Sequence, residues 1–411
     1  MKTLLFLSLS ALSVFICGSS LVAGEPEVTF NTNFEGGSLG RVEAVGPNHY
    51  RCAVAGQQDQ RGRNRQANWY FFRIDHARGR DLTLTLHDFV GEYNDKPGAV
   101  AMTADTVPVF SDDGEAWRHF PAMDWDAKTK EATLHVRPAG DSLWVAHIQP
   151  YAPRHLARLL TDVERSPHVF VEVIGKSAGG RDLHEVTVTD PATPEVGKKT
   201  VWLMARQHAW EAGTSYVMDG ALRFAASDDE QARRLRERVV MKFSPMVDPD
   251  GCAAGRVRFN ANGYDVNRHW ADTGLSAKES LRLMPEIWYA KKTVLAYMAR
   301  RPIDLMVNMH NTETNEYLET QADDPATLGR LRAFHEALRA GSSFDPATPE
   351  LRVGASPSNT SNALWREGRV PIVLMEQRIS TSKKLGRRPT VEDRRAFGKD
   401  LIATMAETVL R

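Results

Sequence analysis

The chain has 411 residues, enough for two domains, and its 42% hydrophobic and 25% charged residues are the balance of an ordinary folded protein. Lys and Arg total 52 and Asp and Glu total 52, so no bulk charge points to nucleic acid or an anionic membrane as partner.

At the N-terminus, Met1 and Lys2 precede an apolar run from Leu4 to Cys17, followed by small residues up to Ala23 and Gly24. This is the layout of a secretory signal peptide over residues 1–24, and its apolar run is too short to span a membrane. It predicts an exported protein, secreted or periplasmic, with no membrane attachment after cleavage. Beyond it only Cys52 and Cys252 remain, which leaves one disulfide open and no C-x-x-C metal or redox motif.

Residues 25–150 read as a small antiparallel β-sandwich. Strands are predicted over 69–74, 82–87, 132–136 and 143–148, from apolar runs and apolar/polar alternation. Turn signals stand at 94–98 and 111–114. The histidines of this half (His49, His76, His87, His119, His135, His147) are scattered and read as surface or strand-face residues.

Pro150-Tyr151-Ala152-Pro153 marks the boundary, and residues 151–411 alternate strands with helices. The pattern predicts a helix over 154–164, strands over 168–174, 183–189 and 200–205, helices over 214–226 and 230–237, and a strand over 239–243. A long amphipathic helix follows over 277–300, burying Leu281, Met284, Ile287, Trp288, Leu295 and Met298. A strand over 303–309, a helix over 326–340, a strand over 372–375 and a helix over 391–410 complete a mixed-sheet α/β domain. In such folds ligands gather beyond the carboxyl ends of the strands.

Polar residues recur at those ends. His208 and Glu211 form a His-x-x-Glu pair just past the 200–205 strand, His310 ends the 303–309 run and Glu376 ends the 372–375 run. Imidazole and carboxylate are both zinc ligands, and a three-residue offset in a turn lets both reach one ion. A loop contributes Arg258 and Asp265-x-Asn267-Arg268. Other pairings are open at this level: Asp265 with Arg268, Glu376 with Arg378, and Arg256 in place of Arg258.

This ordered set, with the upstream Ile174-Gly175-Lys176-Ser177 and Gly180-Arg181, resembles the zinc metallocarboxypeptidases. The resemblance is strongest to the cytosolic-carboxypeptidase-like branch, in which a β-sandwich precedes the catalytic domain. It implies one zinc ion per chain, held by His208, Glu211 and His310, with water in the fourth position. It further implies Asp265 bonded to the outer nitrogen of His208, Glu376 as general base and Arg258 as oxyanion stabiliser. Asn267 and Arg268 would hold the free C-terminal carboxylate of a peptide substrate. One departure stands out. The family carries a tyrosine between its last zinc histidine and its catalytic glutamate, whereas here the interval from Leu318 to Met375 has none, leaving Tyr317 and Trp365 as the nearby large aromatics. The stretch 354–369 is expected to line the side-chain pocket, with Arg366 and Arg369 as candidate attractors of acidic side chains. Competing readings are a related zinc amidohydrolase acting on acylated amino acids or cell-wall stem peptides, and a catalytically degenerate binding protein.

Overall fold

The computed structural model describes residues 26–271, 274–354 and 359–411; the expected signal peptide lies outside them. The first half forms two five-stranded sheets. One runs Thr29–Asn31, Phe71–Asp75, Leu143–Ala146, Val109–Ser111 and Arg118–His119 in spatial order. The other runs Asp124–Asp126, Glu131–Val136, Leu82–His87, His49–Ala53 and Val42–Gly46. Tyr70, Phe72, Ile74, Leu84, Leu86 and Leu134 fill the space between them. The sandwich is not wholly antiparallel, because His49–Ala53 and Leu82–His87 pair parallel. Parallel neighbours need a long crossover, and the chain between these two detours through other strands.

Two strands of that detour, Gln57–Gln58 and Arg65–Gln66, join the later Val90–Tyr93 and Lys96–Val100 in a third sheet. The turn expected over 94–98 tightens to Asn94 and Asp95, both left-handed (φ 50 and 61), residue types that accept that conformation in hairpins. One histidine departs from expectation. His147 is buried, its ring 5.8 Å from Trp210 of the second half, and burial pushes its pKa down to about 3.

In the second half the chain runs α1 (Pro153–Val163), β1 (Val169–Lys176), β2 (Asp182–Val188), β3 (Lys199–Ala205), α2 (Ala212–Ala226), α3 (Glu230–Arg238), β4 (Val239–Ser244) and α4 (Pro249–Ala253). It continues α5 (Ala277–Leu283), α6 (Pro285–Met298), β5 (Leu305–Thr312), β6 (Tyr317–Thr320), α7 (Pro325–Gly341), β7 (Arg352–Val353), α8 (Thr360–Gly368), β8 (Ile372–Arg378) and α9 (Val391–Leu410). The eight strands make one mixed sheet in the order β1-β2-β4-β3-β5-β8-β6-β7. Its central four, β4, β3, β5 and β8, are parallel. Their near-continuous Val, Ile, Leu and Met content suits strands covered on both faces.

The expected 277–300 helix is two helices. Pro285 has no N–H and disfavours a helical Met284, so the chain breaks there (Met284 φ −139) and restarts with proline at the first position. Leu281 consequently faces solvent, while Met284 and Ile287 remain buried. The short elements α4, β6, β7 and α8 lack a long enough hydrophobic period to announce themselves.

Strand alternation sorts the two layers. Val201, Leu203, Val307, Met309 and Met375 face α1, α2, α7 and α9, whereas Trp202, Met204, Met306 and Ile372 face α6 and α8. The first layer is continuous with the N-terminal half, because Trp69, Phe71, Val109 and Ile148 belong to the same core. Both buried cysteines are free thiols, so the open disulfide does not form. Among the described residues no helix is long and apolar enough to cross a membrane.

Helices α2 and α9 touch through glycine. A Cβ on Gly398 would sit 1.9 Å from Val217 O, and one on Gly220 would sit 2.0 Å from Arg395 O. Gly329, exposed in α7, has nothing within 4 Å of that position. Urea unfolding should therefore show Gly398→Ala losing about 1–3 kcal/mol by overpacking. Gly329→Ala should gain about 0.5–1 kcal/mol from helix propensity; equal effects of the two would contradict the close crossing.

Candidate metal and active site

β3 ends at Ala205, and the chain turns on Arg206, a non-glycine residue in the left-handed region (φ 58). The buried Arg206 guanidinium holds the bend: Nη1 donates to Tyr151 O (2.9 Å) and Ser215 Oγ (3.0 Å), and Nη2 to Ala209 O (2.7 Å). His208 lies in this turn, and Glu211 is the residue preceding α2. His310 reaches the same point from β5. His208 Nδ1 lies 2.8 Å from Glu211 Oε1, and His310 Nδ1 lies 3.0 Å from Glu211 Oε2. The three buried residues offer ligand atoms within 4.8 Å of one another. Burial by itself would raise the Glu211 carboxyl; the two imidazoles hold it below the usual carboxylate range.

The outer side of each imidazole is braced. His208 Nε2 faces Asp265 Oδ1 at 3.2 Å, so a proton there leaves the Nδ1 lone pair toward Glu211. His310 Nε2 meets the Nδ2 groups of Asn308 (3.1 Å) and Asn267 (3.2 Å). Asn308 Oδ1 is buried with no partner among the described residues. The same Asn308 Nδ2 also donates to Gln207 Oε1 (2.7 Å), which fixes the amide's orientation. Burial also pushes the His310 pKa down, toward the neutral form a metal needs. Two imidazole nitrogens and a carboxylate, converging and braced from behind, suit a zinc ion. The donor set fits.

Asp265 has a second bond, and it settles the open pairings. Its Oδ2 accepts from Arg258 Nε at 2.6 Å, so its ion-pair partner is Arg258 rather than Arg268. Burial would raise the Asp265 carboxyl, but Arg258 and His208 hold it well below the normal range. Arg258 keeps both terminal nitrogens without a protein partner among the described residues. Arg256 donates instead to Asn260 O (3.0 Å). Arg378 lies nearest Glu316 (3.8 Å) and not Glu376.

Glu376 stands beside His310, the two being partners in the parallel β5–β8 register. Its Oε2 is buried without a partner among the described residues. Burial first, then the Glu211 charge, pushes this carboxyl well above the normal range, against the pull of Arg258. Such a group takes a proton readily.

These residues line a cavity of about 510 Å³ at the carboxyl edge of the sheet. His208, Glu211, Arg258, Asn267, Arg268 and Glu376 all border it. Asn267 is nevertheless engaged: its Oδ1 accepts from Thr360 N (3.2 Å) and Oγ1 (2.8 Å), and its Nδ2 faces His310. It braces His310, leaving Arg268 as the freer donor of the expected pair. His269 is left-handed (φ 58) and packs against Tyr264 instead of facing the ligands.

The stretch 354–369 contributes less than expected. Residues 355–358 lie outside the described residues; Asn359 borders the cavity while capping α8. Arg366 is exposed and Arg369 pairs with Asp323 (3.2 Å), so neither lines the cavity. Trp365 is buried elsewhere, but Tyr317 does border the site, directly opposite Glu376 on β6. Burial and then Glu376 push its phenol up to about 12, and the Arg352 guanidinium lies 3.7 Å from its ring centre.

The N-terminal half supplies residues that no motif announces. Gln57 Oε1 accepts from three successive backbone N–H groups, Val257 (2.9 Å), Arg258 (2.7 Å) and Phe259 (3.0 Å), and Gln57 Nε2 donates to Phe259 O (2.6 Å). Asn68 bonds Glu313, and Tyr93 joins the cavity rim. On the far side, Asp250 accepts from Gly179 N (2.5 Å) and Arg181 Nη1 (2.7 Å), anchoring the turn after β1 to the loop that leads to Arg258.

Comparison with known proteins agrees with this geometry. Residues 157–325 match the family model described as zinc carboxypeptidase, and residues 30–148 match the one described as cytosolic carboxypeptidase N-terminal domain. Mouse cytosolic carboxypeptidase 3 is 25% identical over 332 residues, 75% of this chain and 31% of its own length. Mouse cytosolic carboxypeptidase 6 is 26% identical over 316 residues, 72% of this chain and 56% of its own. The chain thus spans only about a third to a half of these relatives. Among solved structures, a metallo-carboxypeptidase from Burkholderia cenocepacia superposes with TM-score 0.80 at 23% identity, covering 93% of this chain and 99% of that one. A Pseudomonas aeruginosa metallo-carboxypeptidase in complex with (2-guanidinoethylmercapto)succinic acid gives 0.76 at 22% identity, covering 93% and 100%. At these identities the solved structures establish a shared fold.

The bracing by Asp265 yields a direct expectation. Asp265→Ala should weaken zinc retention about 10–100-fold in competition with a chelator, because the His208 tautomer loses its anchor. Unchanged retention would show that Asp265 serves Arg258 alone.

Proposed function

Because the two matched domains place this chain in the zinc carboxypeptidase family, we propose that it releases the C-terminal amino acid of peptides in a zinc-dependent reaction. The observation that carries the reading is the convergence of His208, Glu211 and His310 at a cavity lined by His208, Glu211 and Glu376, whose Oε2 has no partner among the described residues. Zinc held by the three ligands would supply Lewis acidity, polarising a carbonyl and making water more acidic near neutral pH.

The protein groups divide the remaining work. Arg268 grips the terminal carboxylate, its planar donors suiting a carboxylate geometry. That grip confines cleavage to the last residue. Glu376 removes a proton from the attacking water and returns it to the departing amine, a task suited to a carboxyl whose proton affinity burial has raised. Arg258, held through Nε by Asp265, turns its free terminal nitrogens toward the carbonyl oxygen as negative charge builds there. Tyr317, opposite Glu376, supplies a phenol to the cavity from a strand position early in the interval between His310 and Glu376. Asn267 and Asn308 keep His310 in place.

Purified wild type should contain one zinc per chain and release C-terminal residues from a peptide mixture. Glu376→Gln should keep the zinc and lose release by roughly 10²–10⁴-fold. Wild type that takes up no zinc when it is supplied would sink the reading. Release of internal fragments in place of single residues would remove the exopeptidase assignment.

A further inference from the structure

Arg394 lies near the start of α9, away from the metal cavity, and is only 4% exposed. Its Nε is buried with no partner among the described residues. Its terminal nitrogens have neither a hydrogen bond nor an ion pair among them. Packing holds the group instead: α2 meets it through Gly213, where a Cβ would lie 2.6 Å from Arg394 Nη1. A buried guanidinium with no acceptor is costly, so its surroundings call for an explanation.

Arg394 borders a second, small cavity of about 30 Å³ between the end of β8, the loop that follows it and α9. Arg378 borders it too. Its Nη1 and Nη2 donate to Thr381 O (3.3 Å) and Asp345 O (2.8 Å), while its Nε is buried with no partner among the described residues. Ser382 Oγ, also on the wall, accepts from Leu385 N (3.4 Å) and keeps its own proton to give. Two carboxylates share this wall. Asp393 is already bonded to Arg387 and Thr390. Glu316 Oε2 accepts from Asp345 N (2.8 Å) and stands 3.8 Å from Arg378 Nε, beyond hydrogen-bond reach. Burial pushes the Glu316 carboxyl up to about 7, which weakens it as a counter-charge. Two guanidiniums are left with one incomplete anion between them. The loop over the cavity also carries Lys383, Lys384, Arg387 and Arg388, which add positive potential at its mouth.

We propose that this cavity is an anion site in which a chloride ion binds between Arg394 and Arg378. At roughly 10–15 Å³ for each water-sized particle, the space admits a monatomic anion and excludes a phosphate or a carboxylic acid. Water would satisfy the donors but leave the excess positive charge uncompensated in poorly solvated surroundings. Guanidinium groups are weakly hydrated, so they surrender water to an anion readily. The bound ion would tie the start of α9 to the end of β8, with α2 packed against the same guanidinium. Strand β8 carries Glu376 two residues before Arg378, and α2 begins directly after Glu211. The ion therefore steadies elements that bear the base and a metal ligand without touching either. This site stands independently of the peptidase reading.

Bromide stands in for chloride and is visible by its anomalous scattering. Crystals of the full-length, zinc-loaded protein soaked in sodium bromide should show an anomalous peak in contact with the Arg394 and Arg378 nitrogens. In solution, replacing sodium gluconate with sodium chloride at constant ionic strength should raise the thermal midpoint saturably, by about 1–3 °C. Gluconate is too large to enter and serves as the blank. Arg394→Met should lose both the peak and the rise. Water alone in the cavity of the bromide-soaked crystals would overturn the proposal. A bromide peak there with no response of the midpoint would mark an adventitious ion only, and overturn it too. So would a rise undiminished in folded Arg394→Met, which would place the anion elsewhere. The wild-type measurements decide the matter even if the variant fails to fold.

Discussion

The parallel register of β3, β5 and β8 is the constraint on which the site depends. Ala205, Met309 and Met375 form one row across the sheet, and the next row holds His310 and Glu376 as neighbours. A slip of one residue in either pairing would turn an apolar side chain toward the cavity and bury a ligand or the base among the helices. The register is in turn enforced by burial on both faces: Val307 and Met309 pack on one layer, Met306 on the other. Apolar packing thus fixes the position of charged chemistry it never touches. The turn at Arg206 completes the arrangement by bringing His208 back over the end of β3, and that strained residue is stabilised by its own guanidinium.

Much of this was legible in the amino-acid order. His208, Glu211, His310 and Glu376 each follow a strongly apolar strand, so their elements were readable and their place at the carboxyl edge followed from fold logic. Helix α9 was readable to the residue because Thr390 and Asp393 form a reciprocal cap before a long regular stretch. What escaped was set by tertiary contact. The break at Pro285 was written in the sequence, yet the surrounding apolar period masked it. Strand β6 is short and mixed in polarity, so the pattern predicted no strand around Tyr317. Gln57 and Asn68 lie on strands or loops of the other half, where no local pattern could connect them to Arg258 or Glu313.

Within the cavity, charges are held apart by assignment. Asp265 touches both His208 and Arg258, so one carboxylate orients a metal ligand and a cation at once. Among the described residues Glu376 has neither hydrogen bond nor counter-ion in contact, and burial raises its proton affinity. The two carboxyls sit in the same small volume with opposite shifts, which is how one site keeps a permanent anion and a working base side by side.

Gln57 gathers three consecutive amides of the loop that bears Arg258, and it does so from the opposite half of the chain. The boundary drawn by sequence patterns is consequently not a boundary of heredity. A recombination that exchanged either half for a distant cousin would bring together a clasp and a segment that had never been selected to meet. Descent in this lineage should therefore favour the two halves travelling as one unit, with insertions and added domains accumulating outside the pair and not between them.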